Sequence, residues 1–148
     1  MLKKIMAGMV LSGILSFGGV FGVMPASTVP CVMADDIYPD YLWGDPNYER
    51  AYGHMDVGTY IDWSSAVLFS DGQDGSGRIH FAVNLINVDM KTNTILDQYT
   101  FEYIDDEYPG FYCRVNGGEW KGYDPNQMFG YNAVNILTYK KCMKRLLG

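Results

Sequence analysis

RIHFAVNLINVDMKTNTILDQYTFEY, residues 78–103, decides how this chain folds. Ile79, Phe81, Val83 and Leu85 alternate with His80, Ala82, Asn84 and Ile86. After the polar MKTN connection, Ile95, Tyr99, Phe101 and Tyr103 alternate with Leu96, Gln98, Thr100 and Glu102. Successive side chains leave opposite sides of a pleated strand, so period two in β-branched and aromatic runs predicts a long antiparallel hairpin with one mainly apolar face. Two strands alone are marginal in water, and that face requires a cover.

Downstream, Phe111-Tyr-Cys-Arg-Val115 alternates again, Asn116-Gly117 tolerates positive φ, and Glu119-Trp120-Lys121 resumes. Asn-Gly between alternating runs is a strong hairpin signal and sets Phe111, Cys113 and Val115 on one face. Asp124-Pro125-Asn126-Gln127 then offers a capping carboxylate, a first-turn proline and a glutamine three places on, which predicts a helix start. At 100° per residue Met128, Phe129, Ala133, Ile136, Tyr139, Cys142, Met143, Leu146 and Leu147 share an apolar arc opposite Lys141, Lys144 and Arg145. This amphipathic helix is expected to cover the sheet. Cys142 in that arc and Cys113 on the strand face are expected to form a disulfide, which would add about 3–4 kcal/mol on the chain-entropy model.

Upstream, Thr59–Asp62 and Ala66–Phe69 read as two short strands joined by a turn at Asp62-Trp63-Ser64-Ser65, whose side chains bond to nearby amides. Asp71-Gly-Gln-Asp-Gly-Ser-Gly77 lacks the alternating donors and closing glutamate of a calcium loop and reads as a flexible hairpin connection. Asp105-Asp106-Glu107-Tyr108-Pro109-Gly110 reads as a solvated turn. Residues 35–57 form a Tyr/Asp/Pro-rich leader, mostly irregular, with a short helix expected from Asp45-Pro46 to Gly53. The fold class is therefore α+β: an antiparallel sheet of five or six strands under a C-terminal helix, in a single domain over residues 58–148.

Lys3 and Lys4, the uncharged run Ile5–Met24 and the small-residue site before Asp35 have the order of an export signal, residues 1–34, with cleavage near Ala34. An uncleaved anchor is the alternative. Two of the 11 basic residues and none of the 17 acidic ones precede Asp35, so the remainder carries nine against 17, a net charge of −8. That charge disfavours phosphate backbones and anionic lipid, so neither nucleic acid nor membrane is an expected partner of the mature form. The expected location is periplasmic or extracellular, which suits a disulfide.

Candidate chemistry is thin. His54 and His80 are the two histidines, and neither has a sequence neighbour that makes it a general base with its orienting partner. No metal-ligand spacing, cofactor loop or nucleophile motif is present, so no catalytic residue, metal or cofactor is assigned. Tyrosine is the unusual feature: of 12 residues, Tyr38, Tyr41, Tyr48 and Tyr52 crowd the leader with Trp43, as sheet cover or as a recognition surface.

YIDWSSAVLFSD, HFAVNLINVD, YTFEYIDDEYPGFYCRVNGGEW and DPNQMFGYNAVNILTYKK together resemble a group of small exported bacterial proteins of unknown function, over residues 58 to about 145. The Tyr-Ile-Asp-x-Ser start is more distantly similar to surface-adhesin-E-like domains. The first resemblance implies one exported α+β domain, and the second implies binding of a host or matrix protein. The expected function is a non-catalytic exported binding or interaction module whose partner is another protein or an envelope component. A small secreted hydrolase, or an inhibitor of one, is the alternative. A hydrolase should hold His54 or His80 in a concave pocket beside a carboxylate or serine, whereas a binder should show an aromatic patch or groove.

Overall fold

The computed structural model describes residues 37–106, 110–130 and 132–148. The expected signal over 1–34 with its cut near Ala34, and turn residues 107–109, lie outside them. Six antiparallel strands follow in chain order, each bonded to the next: β1 Tyr48–His54, β2 Val57–Asp71, β3 Ile79–Asp89, β4 Thr94–Asp106, β5 Gly110–Val115 and β6 Lys121–Tyr123. The sheet curls into a half-barrel, with helix α1, Asn132–Leu147, on its inner face. The α+β class and the covering helix are as expected.

The central hairpin is β3 and β4, paired from Ile79↔Asp105 to Asp89↔Thr94. Its inner face carries Phe81, Val83, Leu85, Phe101 and Tyr103, which join Ala51, Ile61, Trp63, Phe111 and Cys113 from other strands and Ile136 and Cys142 from α1 in one core. At its centre the rings of Phe111 and Tyr139 stack at 4.0 Å and 8°. Glu49 ties helix to sheet: it accepts from Trp63 Nε1 (3.2 Å) and pairs with Lys141 and with Arg145 (3.7 Å), whose guanidinium lies 4.4 Å from the Trp63 ring centre. On the outer face Tyr60, Ile86 and Val88 form a smaller cluster capped by Leu42, from a 3₁₀ turn at Leu42–Gly44. Leader packing against the sheet is therefore real.

Four local expectations are corrected. Tyr48–His54 is an edge strand rather than a helix, because its backbone groups pair with β2. The Asp62–Ser65 segment is a bulge inside one long strand. Asp62 to Val67 spans five positions opposite the two from Asn84 to Ala82. Its turn chemistry is as read: Asp62 Oδ1 accepts from the Ser64 amide (3.1 Å) and hydroxyl (2.6 Å). The Ser65 hydroxyl accepts from the Asn84 amide (2.8 Å), replacing lost ladder bonds. The helix begins at Asn132 rather than near Asp124. Asp124 closes an isolated turn, its carboxylate accepting from Asn126 N (2.8 Å) and its carbonyl from Gln127 N (3.0 Å), and Gly130 at φ 37° interrupts the chain before α1. Met128 and Phe129 consequently stay exposed.

The fourth concerns sulfur. Cys113 and Cys142 share the core as expected, yet both are free thiols in this structure and the bridge is not formed. Pairing requires aligned Cβ vectors as well as a shared core. Here the Cys113 sulfur is turned to the Arg114 carbonyl at 3.8 Å, and the buried Tyr103 phenol lies beside it. Burial pushes each thiol up to about 12, so both are protonated and inert at neutral pH.

Candidate functional site

The curl of the sheet leaves a cavity of about 500 Å³ between its inner face and the start of α1. Tyr52 and His54 from β1, Val57 and Thr59 from β2, Leu85 and Asn87 from β3, Tyr99 and Phe101 from β4, and Val134 and Asn135 from α1 line it. The lining exists because of a second bulge. The β1–β2 register shifts between Arg50 and Tyr52, so Tyr52 comes opposite Thr59 and His54 opposite Val57. Without that shift, strand alternation would send both rings to the outer face.

Most of the wall is apolar, but one side carries an ordered polar chain. Thr59 Oγ1 donates to Asn87 Oδ1 (2.7 Å), Asn87 Nδ2 donates to Asp97 Oδ1 (2.7 Å), and the Tyr99 hydroxyl donates to Asp97 Oδ2 (3.1 Å). The bond to Asp97, and then its charge, pushes the Tyr99 phenol above its ordinary value. Across the cavity stands Asn135, only 8% exposed, its side chain against the Tyr123 phenol.

The two histidines part company. His54 is exposed at the cavity mouth, its ring 6.3 Å from that of Tyr52, and among the described residues no carboxylate or serine lines the cavity beside it. His80 meets a carboxylate on the open outer face: its Nε2 is 2.7 Å from Glu102 Oε1, while Arg114 Nε donates to Glu102 Oε2 at 2.6 Å. The Arg114 bond above all, with help from His80, holds the Glu102 carboxyl below its ordinary value. Phe69 lies 4.6 Å from the His80 ring, and Trp120 receives the Arg114 guanidinium at 4.6 Å. These groups form a shallow aromatic patch rather than a pocket.

The five leader aromatics do not form one surface. Tyr38 packs against Gly53, where an added Cβ would meet its ring at 2.6 Å, and its hydroxyl accepts from the Asp56 amide at 3.0 Å. Trp43 is 53% exposed, donates to Asn93 Oδ1 at 2.9 Å and meets Tyr48 edge to face. Tyr41 is exposed and Tyr48 half-buried. Tyr52 alone reaches the cavity. Among the described residues no group of three or more His, Cys, Asp or Glu could hold a metal ion, and no helix is long and apolar enough to cross a membrane.

No family model, curated protein or solved structure matches the chain. The site thus stands on its own geometry. Sequence reasoning missed Thr59, Asn87, Asp97, Tyr99 and Asn135 as a group. Asn87 and Asp97 sit on the apolar side of the central hairpin, and polar residues breaking an otherwise apolar strand face were the signal available.

Proposed function

We propose that this is an exported, non-catalytic binding module that holds a small, mostly apolar ligand between the curled sheet and α1. The observation carrying this reading is the cavity: about 500 Å³, walled by Val57, Leu85, Phe101 and Val134, with a few polar groups at one side. Ligand sites of roughly 300–1,000 Å³ have this composition. Binding outranks hydrolysis because His54, the histidine in the cavity, has among the described lining residues neither a carboxylate to orient it nor a serine to activate. A second reading, docking of another protein or envelope component, is favoured by the exposed Phe69 and Trp120 on the outer face.

The test is a fluorescence titration with prodan, a neutral solvatochromic naphthalene without N–H or O–H donors. Its emission should shift to the blue on binding, with Kd roughly 10–100 µM for a ligand of its size. Val134→Trp places an indole in the cavity from the partly exposed start of the helix and should weaken binding at least about tenfold, whereas Phe69→Ala should leave it unchanged. Equal binding by all three proteins would remove the cavity from consideration.

A further inference from the structure

The hydrogen-bond directions along the polar wall are fixed by its end group. Asp97 is a carboxylate and can only accept, so Asn87 must turn its amide nitrogen to it and its oxygen to Thr59. Thr59 must then donate to Asn87, and Tyr99 must donate to Asp97. The Thr59 and Tyr99 hydroxyl hydrogens and one of the two Asn87 amide hydrogens point along the chain, which leaves a single N–H, the second of Asn87, against three oxygens. What the wall offers the cavity is therefore mainly oxygen lone pairs, on Thr59 Oγ1, Asn87 Oδ1 and Tyr99 Oη.

Three further observations bear on the charge of the ligand. Among the described residues no lysine or arginine lines the cavity. A buried carboxylate or phosphate would lack a counter-charge, a large desolvation cost. The residues from Asp35 onward carry a net charge of −8 from nine basic and 17 acidic side chains, which attracts cations and repels anions. The rings of Tyr52, Tyr99 and Phe101 line the same space, and the face of an aromatic ring attracts an ammonium group. Asn135, buried at 8% exposure, lines the cavity opposite the wall beside the Tyr123 phenol. His54 at the mouth makes no hydrogen bond among the described residues.

We infer that the ligand of this cavity is an apolar amine: an aliphatic or aromatic body buried against Leu85, Phe101 and Val134, with an ammonium group donating to the Thr59–Asn87–Tyr99 wall in the field of Asp97. This rests on the cavity being the binding site, and it adds a head-group chemistry that the cavity's shape alone does not specify.

Competition against prodan with two molecules of the same naphthyl body separates the two claims. 1-Naphthylmethylamine should displace the probe at least about tenfold more effectively than 1-naphthylacetate, the range expected for charge-assisted hydrogen bonds. Asp97→Asn replaces the acceptor-only end with a group that can donate, so the amine-over-acid ratio, measured against that variant's own prodan affinity, should fall to within about threefold. Thr59→Val removes one acceptor independently of Asp97 and should lower the same amine-over-acid ratio, again against the variant's own prodan affinity, by about threefold to tenfold. Equal displacement by amine and acid, or a preference for the acid, overturns the inference and leaves the cavity reading intact. Failure of prodan itself to bind removes the cavity reading, and the inference falls with it. An amine preference that persists in both variants assigns the head group elsewhere and overturns the wall's role.

Discussion

Phe111→Ala should lower the unfolding free energy by about 3–5 kcal/mol, a large part of the 5–15 kcal/mol that holds a typical domain together. Phe111 is 1% exposed at the point where β5, β6 and α1 converge. Its ring lies 4.0 Å from Tyr139, 5.5 Å from Tyr123 and 5.8 Å from Tyr103, so truncation removes contacts to three rings together and leaves a hole that none of them can fill without moving the others. Tyr139 cannot simply drop into the space, because its hydroxyl donates to Asp105 at 2.7 Å. Urea denaturation followed by tryptophan fluorescence measures the loss. Phe111→Leu retains most of the volume and should cost less than half as much. Equal, small effects from both would mean that the aromatic stack is not the centre of the core.

Ile136→Asp should abolish cooperative unfolding at neutral pH. Ile136 is 0% exposed on the face of α1 that meets the sheet, in the core formed with Phe81, Tyr103, Phe111 and Cys142. The cost combines the loss of a buried aliphatic chain, about 2–5 kcal/mol for truncation, with the burial of an uncompensated charge. Ile136→Val, which removes one methylene from the same place, should cost only about 0.5–1.5 kcal/mol. Circular dichroism melts of the two variants decide it. A normal sigmoidal melt for the aspartate variant would show that the helix is not seated as described.

The parts of this fold that were legible in the sequence are those where one physical signal acts alone. The β3–β4 hairpin was readable because its inner positions from Phe81 to Leu85 are apolar without interruption. The Asn116-Gly117 turn was readable because both residues adopt positive φ, 50° and 71°. The helix arc placed Ala133, Ile136 and Cys142 inward correctly. Where two signals compete, the local one misled. Asp124-Pro has the chemistry of a helix start, yet Gly130 separates it from α1, so the same hydrogen bonds close a turn. Asp62-Trp-Ser-Ser has the chemistry of a turn, but β3 continues alongside it and absorbs it as a bulge, which turns Trp63 into the core.

The candidate site was hidden for a related reason. Tyr52 and His54 reach the cavity only through the register shift after Arg50, which is invisible to a reading based on strict alternation. The Tyr-rich leader reads as sheet cover or as a recognition surface, because sequence proximity is its single clue. Gly53, lying flat under Tyr38, shows that one of those rings is packing against backbone. Asn87 and Asp97 come together because the hairpin pairs them directly, a relation that the register made available in principle once the turn was placed.

The most direct measurement of the central claim, that ligand enters between the curled sheet and α1, is methyl NMR of the labelled protein titrated with prodan. The methyl signals of Val57, Leu85 and Val134 should shift together with one saturating dependence, while those of Val67 and Ile104, on the outer face beside His80, stay fixed. Shifts confined to Val67 and Ile104, with the cavity methyls unmoved, would contradict it and transfer the binding surface to the aromatic patch around Phe69 and Trp120.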